Sequence, residues 1–326
     1  GIRAVQPFVV IYQDLRAGAA GKVVKAAALV RRVWPGFLRM RTLMIGCAAG
    51  EGHLDARDEE ARFSAARALA RFIAGHARIF GCKLAVFKEF TVADRPALAC
   101  LGAYGFTRIP SMPMTRLRLN FSSFDEYMTK VLSANMRSKL RRNFRKSAQT
   151  ARLDLKIVND ITPYIEEVYP LYLAVYARSA LHFEKLTPEY LCAIGQKMPE
   201  KTAYFLWSKD GKIVAFNLCL LKDDEICSEY VGLDYSVAFE IHLYFVMIRD
   251  VMEWALANGY RWYCSTSLNY EPKYQLRHSL DPLDLYVRHS NPAVNFVLKH
   301  ALRYMGPARF DKVLPRFPNY ADLLPV

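Results

Sequence analysis

Gly81-Cys82-Lys83-Leu84-Ala85-Val86-Phe87 and Gly259-Tyr260-Arg261-Trp262-Tyr263 decide the fold. In each stretch a glycine closes a long amphipathic segment and an apolar run starts at once. A helix that stops at its C-terminal cap and hands over to a strand has this signature. Outward from these two points the same order of elements is predicted twice. The first copy reads strand 41–47, helix 60–80, strand 83–90, short helix 95–104 and strand 106–119. The second reads strand 226–235, helix 242–258, strand 260–267, short helix 269–277 and strand 283–289. A repeat of mixed helices and strands predicts a duplicated unit of the α/β class with a mixed sheet in each copy.

The chain has 326 residues, 52% of them hydrophobic, enough for two domains with cores of their own. No run of 18 apolar residues occurs, so no spanning helix is predicted; the apolar segment from Leu243 to Leu256 is interrupted by Arg249, Asp250 and Glu253. The chain opens at Gly1, which leaves an upstream segment open, and a cytoplasmic location is expected. Seven cysteines without C-x-x-C spacing read as reduced and buried, and no metal site is expected from the spacing of Cys and His. A formal charge of +14 favours a polyanionic partner: a nucleotide-bearing co-substrate, RNA or an anionic lipid surface.

Toward the N-terminus, a strand from Ala4 to Tyr12 and a basic helix from Gly21 to Leu38 are predicted. From Ser122 the pattern changes: Ser122-Ser123-Phe124-Asp125-Glu126 is an N-cap with acids in the first turn, opening a helix that reaches Ala148. Met128, Leu132, Met136, Leu140 and Phe144 recur every fourth residue, so the apolar stripe drifts around the helix and it must bend, wrap, or break near Ser133-Ala134-Asn135. Its second half carries Arg137, Lys139, Arg141, Arg142, Arg145 and Lys146 with no acid among them. Three strands then follow, joined by turns at Lys209-Asp210-Gly211 and Lys222-Asp223-Asp224. The division expected is 1–121, a connecting basic helix 122–149, and 150–326.

Antiparallel strands, a strand, a long helix, a strand, a short helix and a last strand is an order that resembles the GNAT acyltransferase fold. Two copies with a basic segment between them resemble the Fem-like group, related to peptidoglycan-bridge aminoacyltransferases. The local resemblances are Leu132-Ser133-Ala134-Asn135-Met136-Arg137-Ser138-Lys139-Leu140-Arg141-Arg142, the run from Glu229 to Tyr235, and Tyr270-Glu271-Pro272-Lys273. The resemblance implies two tandem GNAT-like domains, with the active site in the second copy. It also implies an activated donor, acyl-CoA or aminoacyl-tRNA, as co-substrate, no permanently bound cofactor, and an amine acceptor. Two departures stand out. GNAT domains that use acyl-CoA carry a glycine-containing loop before the long helix, whose bare amides hold pyrophosphate. Here Ser236-Val237-Ala238-Phe239-Glu240-Ile241 has no glycine, and Cys47-Ala48-Ala49-Gly50-Glu51-Gly52 in the first copy lacks the leading Gln or Arg.

Acyl transfer to an amine needs a base for the ammonium proton, positive charge or donors for the oxyanion, and an acid for the leaving group. Glu229 is the candidate base, Lys273 the candidate oxyanion partner and Tyr270 a candidate acid. Arg137, Lys139, Arg141, Arg142 and Arg145 are candidates for donor phosphates, with Tyr230, Val231, Gly232 and Asp234 lining the substrate site. Walker A, G-x-S-x-G and H-E-x-x-H patterns do not occur, which disfavours phosphohydrolase, serine-hydrolase and zinc-protease chemistry. The competing function is a non-catalytic module that binds RNA or an anionic lipid through the basic segment. Contact with tRNA or a membrane surface fits the charge under either reading.

Overall fold

The computed structural model describes residues 2–14, 28–33, 35–36, 39–47, 50–76, 79–179, 185–305 and 307–324. Most of the helix expected at 21–38, and the centre of the 47–52 loop, lie outside them. In chain order the strands and helices are β1 (Ala4–Val5), β2 (Phe8–Asp14), β3 (Arg39–Ile45), β4 (Asp55–Ala56), α1 (Glu59–His76), β5 (Leu84–Thr91), α2 (Arg95–Leu98), β6 (Thr107–Pro110) and β7 (Met114–Arg118). They continue with α3 (Phe124–Val131), α4 (Ala134–Thr150), β8 (Leu153–Val158), α5 (Ile165–Arg178), α6 (Pro188–Lys197), β9 (Thr202–Lys209), β10 (Lys212–Lys222) and β11 (Glu225–Leu233). The last are α7 (Tyr235–Ala238), α8 (Leu243–Ala257), β12 (Trp262–Ser265), α9 (Tyr270–Gln275), β13 (Ser279–Asp281), β14 (Leu283–His289) and α10 (Pro292–Met305).

The second hand-over point forms as predicted, with α8 ending just before Gly259, whereas α1 ends at His76, short of the 60–80 expected, and Gly81 lies in a turn ahead of β5. Gly81 (φ 64°) and Gly259 (φ 79°) take the left-handed conformation that only glycine adopts without strain, and β5 and β12 follow them. Of the three ways to accommodate the drifting stripe of the expected 122–148 helix, the chain takes the break at Ser133. Ser123 Oγ accepts from Glu126 N at 3.1 Å to open α3, and Ser133 Oγ accepts from Met136 N at 3.3 Å to open α4.

The chain forms two compact units, residues 1–113 with 280–326 and residues 114–279. This differs from the division at 121 and 149, because each sheet takes a strand from out of sequence order. In the first unit the order is β2-β3-β5-β14-β6. β3 and β5 are parallel, and β14 lies antiparallel between β5 and β6. In the second unit β8, β9, β10 and β11 run antiparallel in turn, β12 is parallel to β11, and β7 is antiparallel to β12. The strand expected at 106–119 is therefore two strands. Pro110 and Pro113 bracket the break; with no N–H, proline cannot donate to a ladder.

The parallel pair in each unit is bridged by its long helix, α1 in the first and α8 in the second. Ala66, Ala70 and Ile73 of α1 pack on Leu43, Ile45, Ala85 and Phe87. Met247, Val251, Met252 and Ala255 of α8 share a core with Ile226, Tyr263, Leu117 and, from α3 and α4, Tyr127, Met136 and Leu140.

Candidate active site

β11 runs regularly against β10 until Leu218, where the register slips: Leu218 faces Tyr230 while Cys219 faces Ser228. Glu229 is the extra residue. A bulge of this kind turns a side chain away from the alternation of its strand. Ser228 is pinned beside it, its Oγ donating to Asn217 Oδ1 at 3.0 Å in a buried setting. The parallel pairing of β11 with β12 also ends here, at Ser228 opposite Ser265. Glu229 thus stands where two strands part, with Thr266 Oγ1 donating to its carbonyl at 3.4 Å.

After β12 the chain passes through Leu268 (φ 74°) and Asn269 (φ 50°) into α9. A leucine in the left-handed region is strained, and such strain persists only where surrounding contacts fix it. Lys273 supplies two of those contacts. Its ammonium donates to the Thr266 carbonyl and, at 2.9 Å, to the Leu268 carbonyl, and the residue is 4% exposed. Burial pushes Lys273 down to about 7, with the negative charge of Glu229 acting in the opposite direction. The Lys273 ammonium therefore titrates near neutral pH and does not stay charged well above it as an exposed lysine does. Tyr270 is buried on the same short helix, and the Lys273 ammonium lies 5.7 Å from its ring centroid. Glu229, Lys273 and Tyr270 therefore belong to one neighbourhood.

His278 is not among the candidate residues; in the sequence it is marked only as standing where the Fem-like resemblance implies a glycine after the lysine motif. It is 4% exposed, packs edge-on to Tyr263 at 5.7 Å, and neither ring nitrogen has a hydrogen-bond partner. Burial and the Lys273 charge lower it to about 3, so it is held neutral. A lone histidine carries no spacing pattern from which a role could be read.

The residues expected to bind substrate divide into two kinds. Arg137 donates to the carbonyls of Leu132 (2.7 Å) and Thr129 (3.2 Å) and so closes the end of α3. Arg141 pairs with Asp125 at 3.3 Å, an acid from the preceding helix that the run itself lacks. Lys139 reaches Gln275 of α9 at 3.4 Å, while Arg142 and Arg145 are exposed. His242, which precedes α8, is lowered by burial and then by the charges of Lys146, Arg142 and Lys139, so the basic face is directed at the start of α8. Tyr230 meets Tyr172 of α5 edge-on at 6.3 Å, and half-buried Val231 packs on the core. Gly232 has a packing task, since a Cβ there would overlap the Phe216 ring and the Leu171 backbone. Asp234 caps α7 by accepting from Ser236 N at 3.0 Å and lies 3.6 Å from Lys212. The hydrogen bond from Ser236 holds its carboxyl below the usual range.

In the first unit the chain itself meets β5 at the corresponding place. Where β3 and β5 would part, Gly52 bridges to Phe90, its N–H donating to Glu89 O at 3.0 Å, and Lys88 donates to the Gly50 carbonyl at 2.9 Å. Only glycine fits so close to the Lys88 carbonyl.

Residues 134–273 match the family model of the acetyltransferase (GNAT) domain. Three solved structures share the fold. The C-terminal domain of a protein assigned as lysylphosphatidylglycerol synthetase from Agrobacterium fabrum is 15% identical, with a TM-score of 0.55 over 81% of this chain and 83% of that one. L-PGS from Bacillus licheniformis is 12% identical, with a TM-score of 0.55 over 81% and 85%. FemX is 9% identical, with a TM-score of 0.52 over 91% of both chains. No curated protein sequence matches the chain. The match to the GNAT domain thus falls within the second unit, and the fold of the chain is shared with these three structures. No helix among the described residues is long and apolar enough to cross a membrane.

Proposed function

We propose that the second unit is an N-acyltransferase that moves an acyl or aminoacyl group from a phosphate-bearing donor, acyl-CoA or aminoacyl-tRNA, onto a primary amine. The observation that carries this reading is Glu229, standing out of a bulge where the parallel pair parts, with buried Lys273 and Tyr270 in the same neighbourhood.

The amine arrives as an ammonium ion and gives a proton to Glu229, directly or through water. Its nitrogen then attacks the donor carbonyl carbon, and the carbonyl oxygen takes up negative charge next to the Lys273 ammonium. When the tetrahedral species collapses, an amide bond forms and the thioester or ester bond of the donor breaks. Tyr270 supplies the proton that the departing sulfur or oxygen needs and is reprotonated from solvent, where the Glu229 proton also goes. The first unit, with its own chain inserted between β3 and β5, acts as a structural partner.

Two features support an aminoacyl donor. The segment before α8 forms the short helix α7 in place of a glycine loop, with bulky Phe239 after it. One structure that shares the fold carries the name of a lysylphosphatidylglycerol synthetase, a name that speaks of a lysyl group and a lipid. Exposed Arg142 and Arg145 support the competing reading, a module that only binds a polyanion.

Mass spectrometry of ligands retained by the purified chain identifies the donor class, and a turnover assay with that donor and a panel of primary amines tests the reaction. Amide product that falls about a hundredfold in Lys273→Met supports transfer. Retention of a polyanion with no turnover of acyl-CoA or aminoacyl-tRNA sinks the transferase reading and leaves the binding module.

A further inference from the structure

Cys227 and Cys264 face each other in parallel register on β11 and β12. Residues two apart on a strand share a face, so Glu225 joins Cys227. One carboxylate oxygen of Glu225 and the two sulfurs lie within 4.8 Å of one another. Cys264 is buried, while Glu225 and Cys227 are half-buried, which leaves a path for an ion from solvent. No short motif announces this cluster, because its members come from two strands joined through α8.

A second observation comes from β7. Arg116 lies in register with Cys264, and its guanidinium stacks over the Trp262 ring at 3.9 Å. From there Nη2 donates to Glu225 Oε1 at 2.8 Å. The arginine orients the carboxylate, which has a second oxygen to offer. Ligating carboxylates are commonly held from behind in this way. The charges also close: two thiolates and one carboxylate balance a divalent cation and one guanidinium. Two sulfurs select a soft or borderline cation over magnesium or calcium.

We propose that Glu225, Cys227 and Cys264 form a site for a thiophilic divalent cation of the zinc class, with Arg116 holding the carboxylate. Three protein ligands leave the fourth tetrahedral position to water. On binding, each thiol gives up its proton to solvent, so the uptake of one cation releases two protons. The cation would staple β11 to β12 one step before they part at Ser228 and Ser265. The inference does not depend on the transferase reading, since it concerns metal uptake alone.

Cadmium is a suitable probe, because thiolate-to-cadmium charge transfer is visible in the ultraviolet. The full chain, kept reduced and free of chelator, is titrated with cadmium chloride while absorption, proton release and melting temperature are followed. The expected result is one cation per chain with a charge-transfer band, displaced by excess zinc. The band is lost in Cys227→Ser and in Cys264→Ser, and Kd rises tenfold or more in Glu225→Gln and in Arg116→Gln. Replacing the exposed thiol, Cys47→Ser, leaves the titration unchanged. Circular dichroism checks that each variant is folded; should a cysteine variant fail to fold, Glu225→Gln gives the reading. No band in the wild-type chain, a band that survives in the folded double cysteine variant, or an undiminished affinity in Glu225→Gln overturns the proposal.

Discussion

Lys273 holds two backbone carbonyls and is the proposed partner of the oxyanion, and each role has its own readout. Lys273→Met removes the donor to the Thr266 and Leu268 carbonyls, leaving buried acceptors unpaired at a cost of about 1–3 kcal/mol. A lower melting temperature together with the loss of turnover is expected; full stability would show that the carbonyls find other donors. The pH dependence has a definite sign. Lys273 is at about 7 in the folded chain, against 10.5 as its ordinary value. Between these values the unfolded chain binds the extra proton, so this residue makes stability rise with pH across that window, and its burial costs most below about 7. Denaturant titrations at several pH values should show the rise in the wild type and lack it in Lys273→Met. If the ammonium steadies the oxyanion, turnover falls as pH climbs through about 7. His278→Phe should raise the melting temperature, because it removes buried nitrogens without partners while keeping a ring against Tyr263. It should also flatten the acid side of the stability curve. Native His278 excludes a proton that the unfolded chain binds between about 3 and 6.5, so in the wild type stability falls as pH drops through that range.

Among the elements, α4 gives the sharpest contrast between side chains of the same charge. Arg137 closes α3, whereas Arg142 and Arg145 are exposed and Lys139 extends to α9. Arg137→Gln should lower thermal stability and leave the salt dependence of polyanion binding unchanged. The triple variant Lys139→Gln, Arg142→Gln, Arg145→Gln should flatten that dependence, because fewer counterions are released, with little change in stability. Binding of a fluorescent RNA across a salt series checks both, and an unchanged slope in the triple variant would show a merely solvated face. That the 122–148 segment is no straight helix was legible because an every-fourth-residue stripe cannot stay on one side of one; the choice of a break over a bend or a wrap was not. That Glu229, Lys273 and Tyr270 come close together was legible through motif order; their roles are a proposal. The tasks of Gly232 and Asp234 were not, since a close approach by Leu171 and a cap on α7 depend on contacts that spacing does not encode. The division of 106–119 into β6 and β7 was half visible in Pro110 and Pro113. Which sheet each piece joins is decided by partners distant in the chain, β14 for β6 and β12 for β7.

At the scale of the whole molecule, residues 114–279 hold a complete parallel pair, its flanking strands and the core built on α8. This segment should fold when produced alone, with a single cooperative thermal transition by circular dichroism. A piece cut at 150, as the sequence division suggested, loses Leu117, Phe124, Tyr127, Leu132 and Leu140 from that core and should aggregate or melt without cooperativity. If the 150–326 piece folds and 114–279 does not, the assignment of the units is wrong. The overall class was legible because element order repeats; the nesting was not, because β7 and β14 each join the sheet of the other half without changing their order in the chain.

The position of β14 between β5 and β6 has a consequence for synthesis. Nascent chains usually fold from the N-terminus as they emerge. Here the first 113 residues leave the ribosome with β6 lacking its partner and β5 open on one side, and they wait while the middle of the chain is translated and folds. At the usual elongation rates that delay is on the order of ten seconds or more. For that interval two open strand edges stand exposed to other chains, so slow elongation, or a stall before codon 289, should drive the protein toward aggregation.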